Sequence, residues 1–257
     1  MRLLLIRHGD RNYTTGSMVE QGIQEAKALA ACAEELDLGD CYMSPYGRAR
    51  ETASYCLAAI GKTAESMEWL SRFAPELDVA GDEELRLAFP DAMRSDGSWG
   101  KHMVLDMMPA YFTRHPELWD PSLWRSSKVA LLADMPKAYD EIVRGFDSLL
   151  AKYGYVREGG LYRVEKESTG TLTFFCHFGV TCVILAHLWN VSPFALLHSI
   201  VTAPSSVTEL FSEKRQQRKA CFRATRIGDI THLTMAGLKP SFASRFCEVY
   251  SNTEQRH

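Results

Sequence analysis

No apolar run in this 257-residue chain is long enough to cross a bilayer. The first one, Leu3 to Ile6, stops after four residues at Arg7-His8, too short for the apolar stretch of a secretory signal. Neither sign of charge dominates. The 29 Lys and Arg against 32 Asp and Glu leave a net −3, so no general attraction to nucleic acid or to an anionic membrane is expected. The seven cysteines (Cys32, Cys41, Cys56, Cys176, Cys182, Cys221 and Cys247) show no CxxC pair and no regular spacing. That argues against a disulfide framework and for buried thiols in a reducing compartment. His102, His115, His198 and His232 form no HxH or HxxxH pair with a third ligand, so no metal site is expected, and no cofactor is implied. Repeats, low-complexity tracts and linkers are lacking, which leaves no clean second domain. With 46% hydrophobic and 24% charged residues the chain is not disordered. The expectation is a soluble cytoplasmic protein, one domain over residues 1–257; the sequence leaves a homodimer open.

What is present is an alternation of short apolar runs and helical periods. Residues 2–6 read as a fully buried strand of the kind found inside a parallel sheet. Val19, Ile23, Ala26, Ala30 and Ala33 then recur at helical steps. Cys41 to Met43 is a second strand, and Ser44-Pro45 reads as an N-cap and a first-turn proline opening a helix whose inner face is Ala49, Ala53, Cys56, Leu57 and Ile60. Such alternation predicts βαβ units. From Phe73 to about residue 130 the period fails among prolines and aromatics, and this segment reads as a cap-like insertion with short helices. A helix follows from Asp134 with Ala138, Ile142, Phe146 and Leu149 on one face. Strands are expected at 161–165 and 171–176 around a Ser-Thr-Gly turn, then a helix after His177 and strands near 207–211 and 221–225. The fold class is an α/β three-layer α/β/α sandwich with a mainly parallel central sheet and an inserted cap.

Three expected strand ends carry chemistry: Arg7-His8-Gly9, Ser44 to Arg48, and His177-Phe178-Gly179. In open α/β sheets, ligands bind beyond the carboxyl ends of strands. Arg48 falls in the first turn of a helix, where the macrodipole disfavours a cation by up to about 1 kcal/mol. A bound anion would reverse that. Two guanidiniums and two imidazoles around one anion suit phosphoryl transfer, because fixed donors stabilise charge spread over the transferring group's oxygens. A neutral imidazole can also act as the nucleophile. Gly9 and Gly179 would let backbone approach the ligand. Arg11, Asn12 and Tyr13 are candidate substrate contacts, while His187 and the aromatics of the insertion (Phe89, Trp99, Tyr111, Phe112, Trp119, Trp124) read as packing.

LIRHGD at 5–10, SPYGRARETA at 44–53 and CHFG at 176–179 resemble the three signature segments of the histidine phosphatase (phosphoglycerate-mutase-like) superfamily. MVEQGIQEAKALA at 18–30 is similar to its glycine-containing first helix, and GDITHL at 228–233 to its last core strand. The resemblance implies His8 as the catalytic nucleophile, Arg7 and Arg48 as binders of the phosphoryl oxygens, and His177 as a second phosphate ligand, with no metal. The substrate it implies is a small phosphorylated molecule, hydrolysed through a phosphohistidine.

The pattern departs at the general acid. Where many relatives carry glutamate in a Trp-Leu-x-Glu-Phe segment, this chain has Trp69-Leu-Ser-Arg72-Phe73. Asp106, in VLDMMP, resembles the Asp-x-x-Pro segment of a related bacterial subgroup and is the first choice of proton donor, with Glu76 and Glu84 as alternatives. A phosphomutase and a non-catalytic phospho-ligand-binding module remain the competing functions.

Overall fold

The structure is a computed structural model describing every residue except 13, 91, 92, 94, 95, 242–250 and 252–257. Tyr13 and Cys247 thus lie outside the described residues. The chain runs β1 (Arg2–Arg7), α1 (Glu20–Ala30), β2 (Asp40–Met43), α2 (Gly47–Ala59), β3 (Ala64–Ser66), β4 (Glu76–Asp78), α3 (Glu83–Arg86), β5 (Lys101–Met103), α4 (Pro109–Phe112), α5 (Lys128–Leu132) and α6 (Met135–Lys152). It continues with β6 (Tyr155–Glu158), β7 (Leu161–Val164), β8 (Thr171–Cys176), α7 (Phe178–Trp189), α8 (Pro193–Leu197), β9 (Val207–Gln216), β10 (Lys219–Asp229) and α9 (Thr231–Met235). Two compact units emerge. One comprises Met1–Arg72, Leu150–Thr181 and Val201–His257, and the other Phe73–Leu149 and Cys182–Ile200.

The first unit holds an eight-stranded sheet in the order β3-β2-β8-β1-β9-β10-β7-β6. β3, β2, β8 and β1 pair in parallel, and every pairing from β1 to β6 is antiparallel. Only β9 and β7 therefore oppose the common direction. This is the expected α/β class, a mainly parallel central sheet with helices around it. β1 lies between β8 and β9 and is buried from Leu3 to Ile6, which explains its unbroken apolar run. Because successive strand residues face opposite sides, Leu4 and Ile6 share one face. There they pack with Leu29, Ala33, Ala53, Cys56, Leu57 and Phe175 as the core under α1 and α2. Truncating Leu4 to Ala would cost about 2–5 kcal/mol.

Two local expectations are corrected and two are refined. The helix after β2 begins at Gly47, with Tyr46 at the cap position; Ser44 is no N-cap, because its hydroxyl is drawn to His177 Nε2 at 2.8 Å. β7 and β8 lie on either side of the Ser-Thr-Gly segment as expected but do not pair with each other: β7 pairs with β6 and β10, and β8 with β1 and β2. The strand expected to include 228–233 ends at Asp229, and His232 is carried on α9. Gly9 is required by a helix. A Cβ on Gly9 would stand 2.5 Å from the Gly22 carbonyl oxygen, and one on Gly22 would stand 2.1 Å from that of Asp10. The glycine of α1 lets the helix press onto the loop after His8.

The second unit contains the segment 73–130. It is built from the two-stranded ribbon β4–β5 and short helices, with Phe112 and Trp124 each in ring contact with Phe194. Phe89, Tyr111, Phe112 and Trp124 are buried, as packing residues should be, whereas Trp119 is exposed. His187 is tied to Asp147 at 2.9 Å.

Candidate active site

β1 delivers Arg7 and His8, β2 leads to Ser44, α2 carries Arg48 in its first turn, and β8 delivers His177. The parallel register sets Arg7 beside Cys176 and Met43 beside Phe175. The residues after those three strands therefore emerge together, at carboxyl ends, as the sequence anticipates. The backbone ties them: His8 N–H donates to Cys176 O at 3.1 Å and Ser44 N–H to Phe175 O at 2.9 Å.

His8, Arg48 and His177 are all buried and form one hydrogen-bonded set. Arg48 Nε donates to His8 Nε2 at 3.0 Å, and an Arg48 terminal nitrogen reaches His177 Nδ1 at 3.1 Å. A guanidinium has no acceptor, so both imidazole nitrogens facing it carry lone pairs. The tautomers follow. His8 Nδ1–H donates to Gly9 O at 2.7 Å, and His177 Nε2–H donates to Ser44 Oγ at 2.8 Å. Both rings are thus neutral, and the lone pair of His8 Nε2 faces Arg48.

Electrostatics agree. Burial, then His177, Arg7 and Arg48, push the His8 imidazolium well below its ordinary range. Burial, then Arg48, Arg7, Arg72 and Arg11, push His177 down to about 2. Burial, with the charges of Arg11 and Arg72, lowers Arg48 itself to about 10. Arg72 thus acts on the same site as a cation. Arg7 Nη1 donates to Thr202 O, and its guanidinium lies 5.9 Å from the centre of the Phe178 ring. Arg48 is held over Tyr46 at 5.1 Å.

Asp106, Glu76 and Glu84 all lie in the second unit and are exposed. Asp106 ends a single 3₁₀ turn from Val104, and Glu76 opens β4 opposite Met103. Glu84 meets Lys128 at 2.8 Å. Sequence reasoning passed over Ser44 as a side-chain partner, and Thr52, which accepts from Gly9 N–H at 3.0 Å. It also passed over Glu25, whose carboxylate accepts from Asp10 N–H at 2.9 Å. Only a buried acid on the helix's apolar face, one turn after Gly22, hinted at the last. Among the described residues, no group of three or more His, Cys, Asp or Glu is placed to hold a metal ion, and no helix is long and apolar enough to cross a membrane.

Fold and site together define an α/β protein with a buried cluster of arginine and neutral histidines at parallel strand ends. Residues 3–101 match the model of the histidine phosphatase superfamily (branch 1). No curated protein sequence matches the chain. Among solved structures it is similar to a phosphoserine phosphatase of Entamoeba histolytica, with 15% identity and a TM-score of 0.57, covering 90% of this chain and 98% of that one. A mycobacterial glucosyl-3-phosphoglycerate phosphatase matches at 16% identity and a TM-score of 0.52, over 88% and 98% of the two chains. The alpha-ribazole phosphatase of Shigella flexneri matches at 16% identity and 0.53, over 90% and 97%. At these identities the likeness is one of fold.

Proposed function

We propose that this chain is a metal-independent phosphomonoesterase, working through a phosphohistidine on His8. The observation that carries the reading is the contact of Arg48 Nε with His8 Nε2 at 3.0 Å, which puts a neutral nucleophilic lone pair and a phosphate-binding fork at one point. A phosphoryl group seated there takes the Arg48 donors onto its equatorial oxygens and frees Nε2 to attack.

In the first step a bond forms from His8 Nε2 to phosphorus and the phosphorus–oxygen ester bond breaks, the departing alkoxide taking a proton from a carboxylic acid. In the second, water attacks phosphorus and gives its proton to the carboxylate, the P–N bond breaks with its electron pair returning to His8 Nε2, and inorganic phosphate leaves. The Nδ1–H to Gly9 O bond stabilises the cationic ring of the intermediate. Arg7 and His177 share the phosphoryl oxygens with Arg48. Asp106 is the proposed proton donor; Glu84 is less apt because Lys128 already engages it. The six described cysteines are free thiols, which supports a reducing, cytoplasmic setting.

Arg72 in place of the family's acid favours a second reading, a module that binds a phosphorylated ligand without turnover. One experiment separates the two. Wild type and His8→Ala are assayed on an aryl phosphate with and without EDTA. EDTA-resistant turnover abolished by His8→Ala supports the phosphatase. Tight binding of phosphate esters without turnover across a broad ester panel overturns it in favour of the binding module.

A further inference from the structure

The segment from Thr202 to Ser206 grips the backbone of Arg7 and His8 from three sides. Arg7 N–H donates to Ser206 O and Ser205 N–H donates to His8 O, both at 3.1 Å. The Arg7 guanidinium donates to Thr202 O. Its conformation is not one the chain adopts by default: Ser205 sits at φ +61°, the left-handed region that a serine occupies only when its surroundings impose it.

What imposes it comes from the far end of β10. Ser205 Oγ and His232 Nε2 are hydrogen-bonded at 2.9 Å, and both residues are buried. Three residues before α9, Gly228 lies so close to the segment that a Cβ there would meet Val201 O at 2.8 Å and Thr202 Cα at 3.2 Å. Thr208 Oγ1 accepts from Gly228 N–H at 3.0 Å. Thr202 and Ser206 also have buried hydroxyls, but these have no hydrogen-bond partner. Ser205 is therefore the hydroxyl through which α9 holds the segment.

We infer that the Ser205–His232 pair is a positioning device for the proposed nucleophile: His232 fixes Ser205 in its left-handed turn, and that turn fixes His8 and Arg7. The inference rests on the phosphatase reading for its kinetic consequence. Neither residue touches the phosphoryl group; both act through the His8 carbonyl and the Arg7 main chain. Because near-attack geometry is sensitive to displacements of about 1 Å, releasing the brace should cost on the order of 10²-fold in kcat. It should leave KM within a few fold.

The test compares wild type with His232→Ala, His232→Gln, Ser205→Gly and the double variant His232→Ala/Ser205→Gly, full-length, on an aryl phosphate. Thermal unfolding is measured alongside. Ser205→Gly removes the tether to His232 without adding backbone strain at the positive φ, so it reports on the brace even where His232→Ala fails to fold. The expected result is a kcat loss shared by His232→Ala and Ser205→Gly, no further loss in the double variant, recovery in His232→Gln, and an unchanged melting point for Ser205→Gly. Wild-type kcat in Ser205→Gly would overturn the inference. So would a kcat loss that tracks the melting point and is not recovered by glutamine, the mark of mere packing. If wild type itself turns nothing over, the phosphatase reading has failed, and the brace is then judged on the ¹⁵N ring signals of His8. Signals displaced in Ser205→Gly uphold it, and signals identical to wild type overturn it.

Discussion

The guanidinium of Arg48 stands between two imidazoles, 3.0 Å from His8 Nε2 and 3.1 Å from His177 Nδ1. One planar fork thus fixes both ring tautomers. Arg48→Lys keeps the charge and loses the fork. It is expected to lower kcat/KM by about 10²–10³-fold, the scale for removing a preorganised donor from a charged transition state. Steady-state kinetics on an aryl phosphate check this, and near-wild-type activity in the lysine variant would contradict the geometry.

The depressed histidines make a prediction about acid. In the folded protein both rings stay neutral, while in the unfolded chain they take up protons below about 6.5, their ordinary value. The unfolded state then binds more protons, so stability falls as pH drops from about 6.5 towards the folded value of His177. Urea unfolding at about pH 7.5 and pH 5 should show this decline, and His177→Gln should reduce it. Ring signals of His8 or His177 that titrate near 6.5 in the native protein would refute it.

Glu25 predicts the opposite slope. Buried under the loop after His8, with Asp10 nearby, its carboxyl is raised from 4.5 to about 7, desolvation being the main cause. The folded state therefore holds a proton that the unfolded state gives up above pH 4.5, and the stability this confers is lost as pH rises through 7. Two and a half pKa units correspond to about 3 kcal/mol. Glu25→Gln retains an acceptor for Asp10 N–H and should be more stable than wild type at about pH 8. A denaturation series across pH that leaves the two proteins parallel would exclude this.

Asp106 is tested by the leaving group. A proton donor matters most when the departing oxygen is basic, so Asp106→Asn should lose about 10²–10⁴-fold on an alkyl phosphate. The loss should be far smaller on p-nitrophenyl phosphate, whose phenolate leaves unaided. Equal losses on both substrates would move the role to Glu76 or Glu84.

Gly22 tests the packing of α1 onto the active loop. A methyl there would stand 2.1 Å from Asp10 O, which is backbone and has nowhere to yield. Gly22→Ala should lower stability by about 1–3 kcal/mol, despite the better helix propensity of alanine, and should impair turnover as well. Calorimetry showing an alanine variant as stable as wild type would contradict this.

The sequence by itself determined the elements whose signals are local. The apolar run of β1, the periods of α1 and α2, and cations placed where strands give way to helices follow from side-chain chemistry and spacing alone. Arg48 in a first turn is such a signal, since a cation there is costly without an anion. Tertiary structure decided what depends on distant partners. Ser44 reads as a cap locally, yet its hydroxyl goes to His177, 133 residues on. Only a short segment of chain separates β7 from β8, yet the sheet places β1, β9 and β10 between them. The tautomers of His8 and His177, the raised Glu25 and the Ser205–His232 brace were hidden for the same reason. Each is fixed by burial and by a hydrogen bond to a residue remote in sequence, and no local pattern records either.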